Sequence, residues 1–575
     1  MKRIILSFIL FCLITFNLSF VSNAESTNKK GELTIFNVED YISQGLDDSV
    51  DLISKFEELY NVKVNYYTYD TNETMYNQFK LQKEGTYDLI CTSDYMIQKM
   101  IKEELVVPMD DYAEYIPNYE KYASSYLRQK LRDMKVVYQG NVVNLDEFAV
   151  GYMWGTLGIV YDPYCTDTIC EDVKSWDIFW DSKYENVISI KNSIRDAFVV
   201  GLMHSYSKSD LFIQLQNAYL ENPTEANKLA YNNIVQDVFD FKLDGSTTSD
   251  QENREKIANV REELISLKKN IFGFEVDSGK NDIITGKIKM NLAYSGDAVY
   301  SIDTARDEAD KRLEYYVPED GSNIWYDAWT LPKGANKDLA YKFLNFMSDP
   351  VNAADNMDYI GYTPYIVGNE LFTLTGAWYG ATDFEVTSPY YAEDETMVIY
   401  KDKLYTCIKD KEAEEEIYPD NEEYFELCEY DEECEDYVYG DMVSFEGKLY
   451  SYISEEAGVI AELSNEDVWE EIIPYDLSYL FAETISEGRR AIIYPFKDYE
   501  NELETQYPSE FIIARCAIMN DFDVYNDEVV IMWGQVKAYT NMVPIYIFLA
   551  VTAVLMVTVI TAFVLKHRID KKYKN

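Results

Sequence analysis

A chain of 575 residues with 102 acidic and 51 basic side chains carries a formal net charge of −51, which repels phosphate backbones and excludes nucleic acid as a partner. A hydrophobic content of 47%, of which much is aromatic, supplies large cores and excludes a chain disordered throughout, and at roughly 150 residues per domain the length exceeds one small module. With two histidines, His204 and His567, there is almost no material for Ser-His-Asp catalysis or a histidine-rich metal centre, so neither an enzyme nor a metal or other cofactor is expected.

Lys2 and Arg3 precede a mostly apolar stretch over 4–20, and Ser22-Asn23-Ala24 offers small residues for cleavage. This predicts a secretory signal over 1–24, with an uncleaved signal-anchor as the alternative because the run is long. From Glu32 short apolar strands alternate with amphipathic segments: Leu33-Thr34-Ile35-Phe36, a helix over 50–60, Val62-Lys63-Val64-Asn65-Tyr66, then Tyr87-Asp88-Leu89-Ile90-Cys91 and a helix over 97–104. The alternation resumes beyond Met153, and Ile257, Val260, Leu264 and Leu267 mark a further helix. Strand-helix-strand repetition predicts an α/β fold with a parallel sheet, and ligands of such sheets bind at the carboxyl ends of strands, here 37–41 and 92–95.

The stretch 386–474 differs in kind. It is crowded with Asp and Glu and contains a repeat, Met397-Val398-Ile399-Tyr400-Lys401-Asp402-Lys403-Leu404-Tyr405 returning as Met442-Val443-Ser444-Phe445-Glu446-Gly447-Lys448-Leu449-Tyr450, 45 residues on. Each copy reads as a hairpin turning at Lys-Asp or Glu-Gly. The second copy, running through Tyr439-Gly440-Asp441 to Asp467-Val468-Trp469, resembles small chitin-binding-type β modules; the alternative is a plain structural insertion. After removal of Cys12 with the signal an odd set of cysteines is left, in which Cys165 with Cys170, and two of Cys407, Cys428 and Cys434, are candidates for pairing.

Residues 542–565 contain no charge and predict one transmembrane helix, long enough at about 1.5 Å per residue to cross roughly 30 Å of hydrocarbon. Lys566, His567, Arg568, Lys571, Lys572 and Lys574 follow, so 566–575 is expected in the cytoplasm and the bulk of the chain outside a cell membrane of the Gram-positive type.

Much of the exported chain resembles the spermidine/putrescine-binding proteins of polyamine ABC transporters. The likeness rests on Phe36-Asn37 through Asp40-Tyr41, Asn72-Glu73-Thr74-Met75-Tyr76, Tyr87-Asp88-Leu89 to Ser93-Asp94-Tyr95, Tyr152-Met153-Trp154-Gly155-Thr156, Ser175-Trp176 and Arg195-Asp196-Ala197-Phe198. It continues in family order through Tyr294-Ser295-Gly296-Asp297, Trp325-Tyr326-Asp327 and Tyr359-Ile360-Gly361-Tyr362. The resemblance implies a two-lobe periplasmic-binding-protein-like α/β fold, with lobe 1 from 32–155 and 328–368 and lobe 2 from 156–327, 369–385 and 475–538. The segments crossing between lobes would fall near 155–157 and 327–330, and the small β-rich acidic insertion would interrupt lobe 2. It also implies a protein that captures a polyamine and hands it to a permease and ATPase on separate chains, without catalysis.

Carried over, Asp40, Asp196 and Asp327 fall at carboxylate positions of the family's site, Tyr41, Tyr95, Tyr294, Trp325 and Tyr362 at aromatic ones, and Ser93 at a polar contact. The chemistry suits a flexible alkyl chain with terminal ammonium groups, since carboxylates hold the ends and aromatic faces cover the methylenes and cations. Each residue has a plainer reading: Asp196 as a helix N-terminal residue, Asp40 as a cap, Tyr294 and Trp325 as core aromatics. Val38, Ser193 and Met519 depart from the family pattern, which favours a diamine or a more weakly held spermidine. The competing readings are a membrane-tethered polyamine sensor and a cell-wall carbohydrate-binding protein.

Overall fold

The short apolar runs near the N-terminus become β1 (Glu32–Val38), α1 (Leu52–Tyr60), β2 (Lys63–Tyr69), β3 (Leu89–Ser93) and α2 (Asp94–Lys102) in the computed structural model. It describes residues 31–46, 49–242, 249–393, 395–413, 415–539 and 543–572, so the expected signal segment 1–24 lies outside the described residues. The start of α1 is fixed by Asp51, whose carboxylate accepts from the Ser54 backbone N–H, and its end by Asn61 at φ 52°, a left-handed position that asparagine tolerates. Leu33, Ile35, Leu89 and Ile90 are fully buried, each contributing about 1.5–3 kcal/mol of transfer free energy.

Further along come β4 (Ala149–Tyr161), β5 (Ile188–Lys191), α3 (Ile194–Tyr206), α4 (Asp250–Leu267), β6 (Gly273–Glu275), β7 (Met290–Tyr294), α5 (Ser295–Ala309) and β8 (Ser322–Pro332). The main sheet runs β2-β1-β3-β8-β4-β7-β5-β6. Its wings are parallel: β1 with β2 and β3 on one side, β5 with β7 and β6 on the other. Its centre is not, because β8 runs antiparallel to both β3 and β4, and β4 antiparallel to β7. The expectation of a parallel sheet therefore holds for each wing and fails in the middle, where two long, wholly buried strands carry the chain from one wing to the other and back.

Two large core clusters fill the wings. Leu33, Ile97, Trp154 and Trp329 belong to one, which extends to Ala293 and Ala298, and Leu157, Ile188, Phe198 and Val260 to the other; β4 contributes to both, with Val150, Trp154 and Val160 in the first and Leu157, Ile159 and Tyr161 in the second. These are two α/β lobes joined by crossing strands. β8 pairs with β3 through Asp327 to Thr330 and with β4 from Ile324 onward, while Ser322 and Asn323 pair with a strand from late in the chain. Within 475–538, Leu477, Phe481, Ile493 and Tyr507 pack into the first cluster, and Ala517, Phe522, Trp533 and Val536 into the second.

The acidic insertion forms two three-strand units. β9 (Gly380–Asp383) lies beside β10 (Met397–Tyr400), which pairs with β11 (Lys403–Cys407), and that with β12 (Phe425–Leu427). The second unit is β13 (Met442–Phe445), β14 (Lys448–Tyr452) and β15 (Trp469–Glu471). Both hairpin turns hold their two central residues at positive φ, Lys401 and Asp402 at 54° and 60°, Glu446 and Gly447 at 48° and 79°, the turn whose twist matches paired strands. β16 (Tyr475–Asp476) and β17 (Ile492–Pro495) then return the chain to β9. Tyr452 and Trp469, aromatics of the chitin-module likeness, are 0% and 2% exposed and form the second unit's core with Val443 and Val468. They hold that unit together and present no open face to a sugar.

The described cysteines are all free thiols, so neither expected pairing forms; Cys407 packs with Tyr390, Val398 and Phe425, and Cys428 in a different cluster. β18 (Cys516–Ala517) and α6 (Asn526–Ala538) complete the second lobe, and Lys268 holds the end of α6 by donating to the Tyr539 carbonyl at 2.9 Å. α7 (Val543–Lys572) follows; its side chains are described over 551–566, and among the described residues no helix is long and apolar enough to cross a membrane. The expected span 542–565 thus falls partly outside the described residues.

Candidate functional site

The carboxyl ends of β3 and β7 and the middle of β8 converge where β4 passes between lobes. Gly155 on β4 makes this possible, because a Cβ there would stand 2.3 Å from Ser295 Oγ and 2.7 Å from the Trp325 ring. Gly296 does the same at the start of α5: its missing Cβ would lie 2.4 Å from the ring of Tyr362. Both glycines let large rings close on the backbone.

Asp327 sits in β8 opposite Ser93, at the lobe 1 end of the crossing. It is 8% exposed, its Oδ2 accepts from the Tyr41 hydroxyl at 2.8 Å, and its Oδ1 is buried with no hydrogen-bond partner among the described residues. Burial pushes its carboxyl up to about 6, with the charge of Asp196 adding to the rise. Asp196, in the first turn of α3, is 4% exposed, receives the Tyr294 hydroxyl on Oδ2, and is also raised by burial. Ser193 caps that helix by accepting from the Asp196 N–H at 3.4 Å, so the residue is both a helix N-terminal carboxylate and a wall of this site.

The rings form a continuous chain of contacts. Tyr41 meets Tyr362 edge to face at 5.2 Å between centroids, Tyr362 meets Trp325 at 5.7 Å, and Trp325 meets Tyr294 at 5.8 Å. The Trp325 indole N–H is buried and has no acceptor among the described residues. An unpaired carboxylate oxygen beside several aromatic rings is what a cationic guest with an apolar stem would satisfy, whereas an ammonium offers the indole N–H no acceptor.

Not every expected residue joins this group. Asp40 follows β1 at φ 52°, is exposed, and makes no hydrogen bond or ion pair among the described residues. Ser93 does stand beside the group: half-buried, it accepts from the Asn72 amide at 2.9 Å and faces Asp327 across the β3–β8 ladder. Tyr95 donates to Glu73 at 3.0 Å, and its ring face is covered by the Arg195 guanidinium at 3.7 Å.

Three features were not anticipated from sequence. Arg195 is sandwiched between Tyr95 of lobe 1 and Phe522 of lobe 2, 4.0 Å away, and beside it Gln98 donates to Asn520 at 3.1 Å and Lys102 pairs with Asp521 at 3.0 Å, so the lobes clasp directly. Asp94, whose oxygens accept from the backbone N–H groups of Tyr95 and Tyr326, is pushed up to about 7 by burial and by Asp327. Lys191, at the end of β5, is 4% exposed and pairs with the buried Asp297 at 2.9 Å. Arg-Asp, Ser-Asp and Tyr-Ser-Gly-Asp pairs were visible in the sequence, but nothing local says that 191 meets 297. Among the described residues no group of three His, Cys, Asp or Glu side chains is arranged to hold a metal ion.

The chain is similar to known solute-binding proteins. The family described as bacterial extracellular solute-binding protein matches residues 51–368, more than half of the chain. The spermidine/putrescine-binding periplasmic protein of Salmonella typhimurium is 26% identical over 353 residues, covering 61% of this chain and 82% of that protein. The putrescine-binding periplasmic protein SpuD of Pseudomonas aeruginosa is 25% identical over 336 residues, covering 57% and 77%. Among solved structures, a putative spermidine/putrescine ABC transporter from Listeria monocytogenes is 26% identical with a TM-score of 0.44, covering 60% of this chain and 85% of that one.

Proposed function

We propose that this chain, which belongs to the bacterial extracellular solute-binding proteins, captures a polyamine outside the cytoplasm and delivers it to an ABC permease. The observation that carries the reading is the buried, unpaired Asp327 Oδ1 beside a wall of aromatic rings. An ammonium group placed there donates a charge-assisted hydrogen bond to Oδ1, roughly twice as strong as a neutral one, and gains cation–π contact of up to about 2 kcal/mol. Asp196, behind Tyr294, offers a second carboxylate for the other end of a linear amine. Tyr41, Tyr294, Trp325 and Tyr362 cover the methylenes, and Ser93 and Tyr95 support the lobe 1 side, while Asp40 lies exposed at the end of β1, apart from this group. The relatives' names carry the same chemistry, as spermidine/putrescine-binding and putrescine-binding proteins. A protein of this kind carries its ligand unchanged, so the chemistry is recognition alone. Calorimetric titration of the exported domain with putrescine, spermidine, spermine and chitin oligomers tests the reading. Micromolar or tighter binding of a polyamine is expected; no response to any of the three amines refutes it.

The same reading includes a tether. Its support is the uncharged run 542–565 followed by a cluster of basic residues, and side chains such as Val554 and Phe563 that stand 65% and 75% exposed along α7. An exposed helix apolar on all sides suits lipid, and the basic cluster would remain in the cytoplasm. Held this way, the binding domain stays close to its permease without a new contact. Protease treatment of intact cells tests the orientation: an epitope after Asn575 should survive, and its loss would overturn the tether.

A further inference from the structure

Lys191 is a buried cation on the wall of an amine-binding cleft, where it would repel the ligand unless it replaces part of it. Its Nζ pairs with Asp297 Oδ2 at 2.9 Å and Glu275 Oε1 at 3.4 Å, donates to the Val276 carbonyl at 3.2 Å, and lies 5.5 Å from the Tyr294 ring centroid. Asp297 is 6% exposed, and its other oxygen, Oδ1, accepts from the Tyr362 hydroxyl at 2.8 Å and is 3.9 Å from Lys280. Both oxygens of this carboxylate are therefore taken by the chain itself. Tyr294 and Tyr362, whose rings line the cleft, are the two rings that Lys191 and Asp297 touch, so the pair stands directly behind the aromatic wall. Burial works to raise the carboxyl of Asp297, but Lys191 and Lys280 outweigh it and hold the group below the usual range; Lys191 in turn stays charged despite its own burial.

We infer that Lys191 is a specificity-determining residue whose butylammonium side chain occupies the carboxylate a third amine would need, restricting the cleft to a linear diamine. The inference rests on the polyamine reading above. A primary ammonium on four methylenes is chemically the end of a polyamine, and here it is supplied in cis. With Asp297 neutralised, the carboxylates open to ligand are Asp196 and Asp327, one for each end of a diamine. A triamine would have to leave its middle or far ammonium among rings with no free carboxylate and a like charge behind them.

Competitive calorimetry with putrescine and spermidine on the wild-type domain, Lys191→Met and Lys191→Arg decides it. Wild type should bind putrescine at least tenfold tighter than spermidine. Lys191→Met keeps the side-chain volume and frees Asp297, so the ratio should move by at least tenfold toward spermidine; spermidine should also raise its melting temperature more than putrescine does. Lys191→Arg keeps the cation and should keep the wild-type ratio. Wild type that binds spermidine as tightly as putrescine overturns the inference without any variant, which covers the case of an unfolded Lys191→Met. A folded Lys191→Met with an unmoved ratio overturns it while leaving the polyamine reading intact. Absence of polyamine binding by every protein sinks both.

Discussion

Replacing Asp327 with Asn removes one charge from the centre of the cleft at nearly constant shape. The carboxylate is 8% exposed with one oxygen unpaired, so an ammonium bound there is a desolvated charge pair, and truncating one partner of such a pair costs about 2–5 kcal/mol. The dissociation constant for putrescine should then rise by about thirtyfold to a few thousandfold. The pH profile gives a second, independent readout. Because the carboxyl titrates at about 6 in the empty protein, it is charged above that pH and ready for a cation; below it, each further pH unit should weaken wild-type binding about tenfold. Asp327→Asn should lose one proton's worth of that slope. Stability should move the opposite way. A folded-state value raised from 3.8 to about 6 means that the folded protein favours the acid form, so the destabilisation is absent below about pH 4 and complete above about pH 6, where it amounts to about 3 kcal/mol. Ligand-free Asp327→Asn should therefore melt higher than wild type at pH 7.5 and equal to it near pH 4. Calorimetry from pH 5 to 8 and scanning fluorimetry without ligand measure both. An unchanged dissociation constant, or an unchanged pH slope, would assign Asp327 to structure.

Arg195→Ala should unclasp the lobes, because the guanidinium stacks 3.7 Å from Tyr95 and 4.0 Å from Phe522 and each such contact is worth up to about 2 kcal/mol when desolvated. Polyamine affinity should fall about tenfold or more and the ligand-free radius of gyration should rise in small-angle scattering; no change in either would show that the clasp does not govern closure. Replacing 386–474 with a Gly/Ser linker should leave affinity within about tenfold, or about 1.4 kcal/mol, while lowering the melting temperature, since Ala381 and Tyr494 pack against the insertion. A folded deletion that no longer binds would place the insertion in the site. Truncation after Ala538 should release ligand-competent protein into the medium with an unchanged dissociation constant, and retention on the membrane would point to a different anchor.

The wings of the sheet were legible in the sequence because Leu33, Ile35, Leu89 and Ile90 are short apolar runs bounded by polar turns, and burial on both faces leaves that signature. The paired hairpins were legible because Lys401-Asp402 and Glu446-Gly447 can adopt positive φ between alternating strands. The antiparallel centre was not: β4 and β8 are as apolar as any buried strand, and direction is decided by partners more than a hundred residues away. The burial of Lys191, Asp297 and Arg195 was not legible for the same reason. Their burial depends on β5 lying beside β7 and on Phe522 returning to the cleft, and no local pattern records either event. Aromatic content likewise said nothing about exposure, so Trp469 resembled a sugar platform while serving as a core residue.

One pairing bears on how such a protein is made. β8 is completed on its lobe 2 side by β18, so Ser322 and Asn323 wait for Cys516 and Ala517, which lie beyond the whole acidic insertion. A chain that leaves the cell N-terminus first therefore exposes the crossing strand's last open edge throughout the secretion of 333–515. The second lobe can close only when α6 has emerged, moments before the proposed anchor reaches the translocation channel. An exported chain arrested anywhere in the insertion would carry nearly every residue of the proposed cleft without a closed second lobe, and its uncovered strand edge would make it a substrate for extracytoplasmic chaperones and proteases.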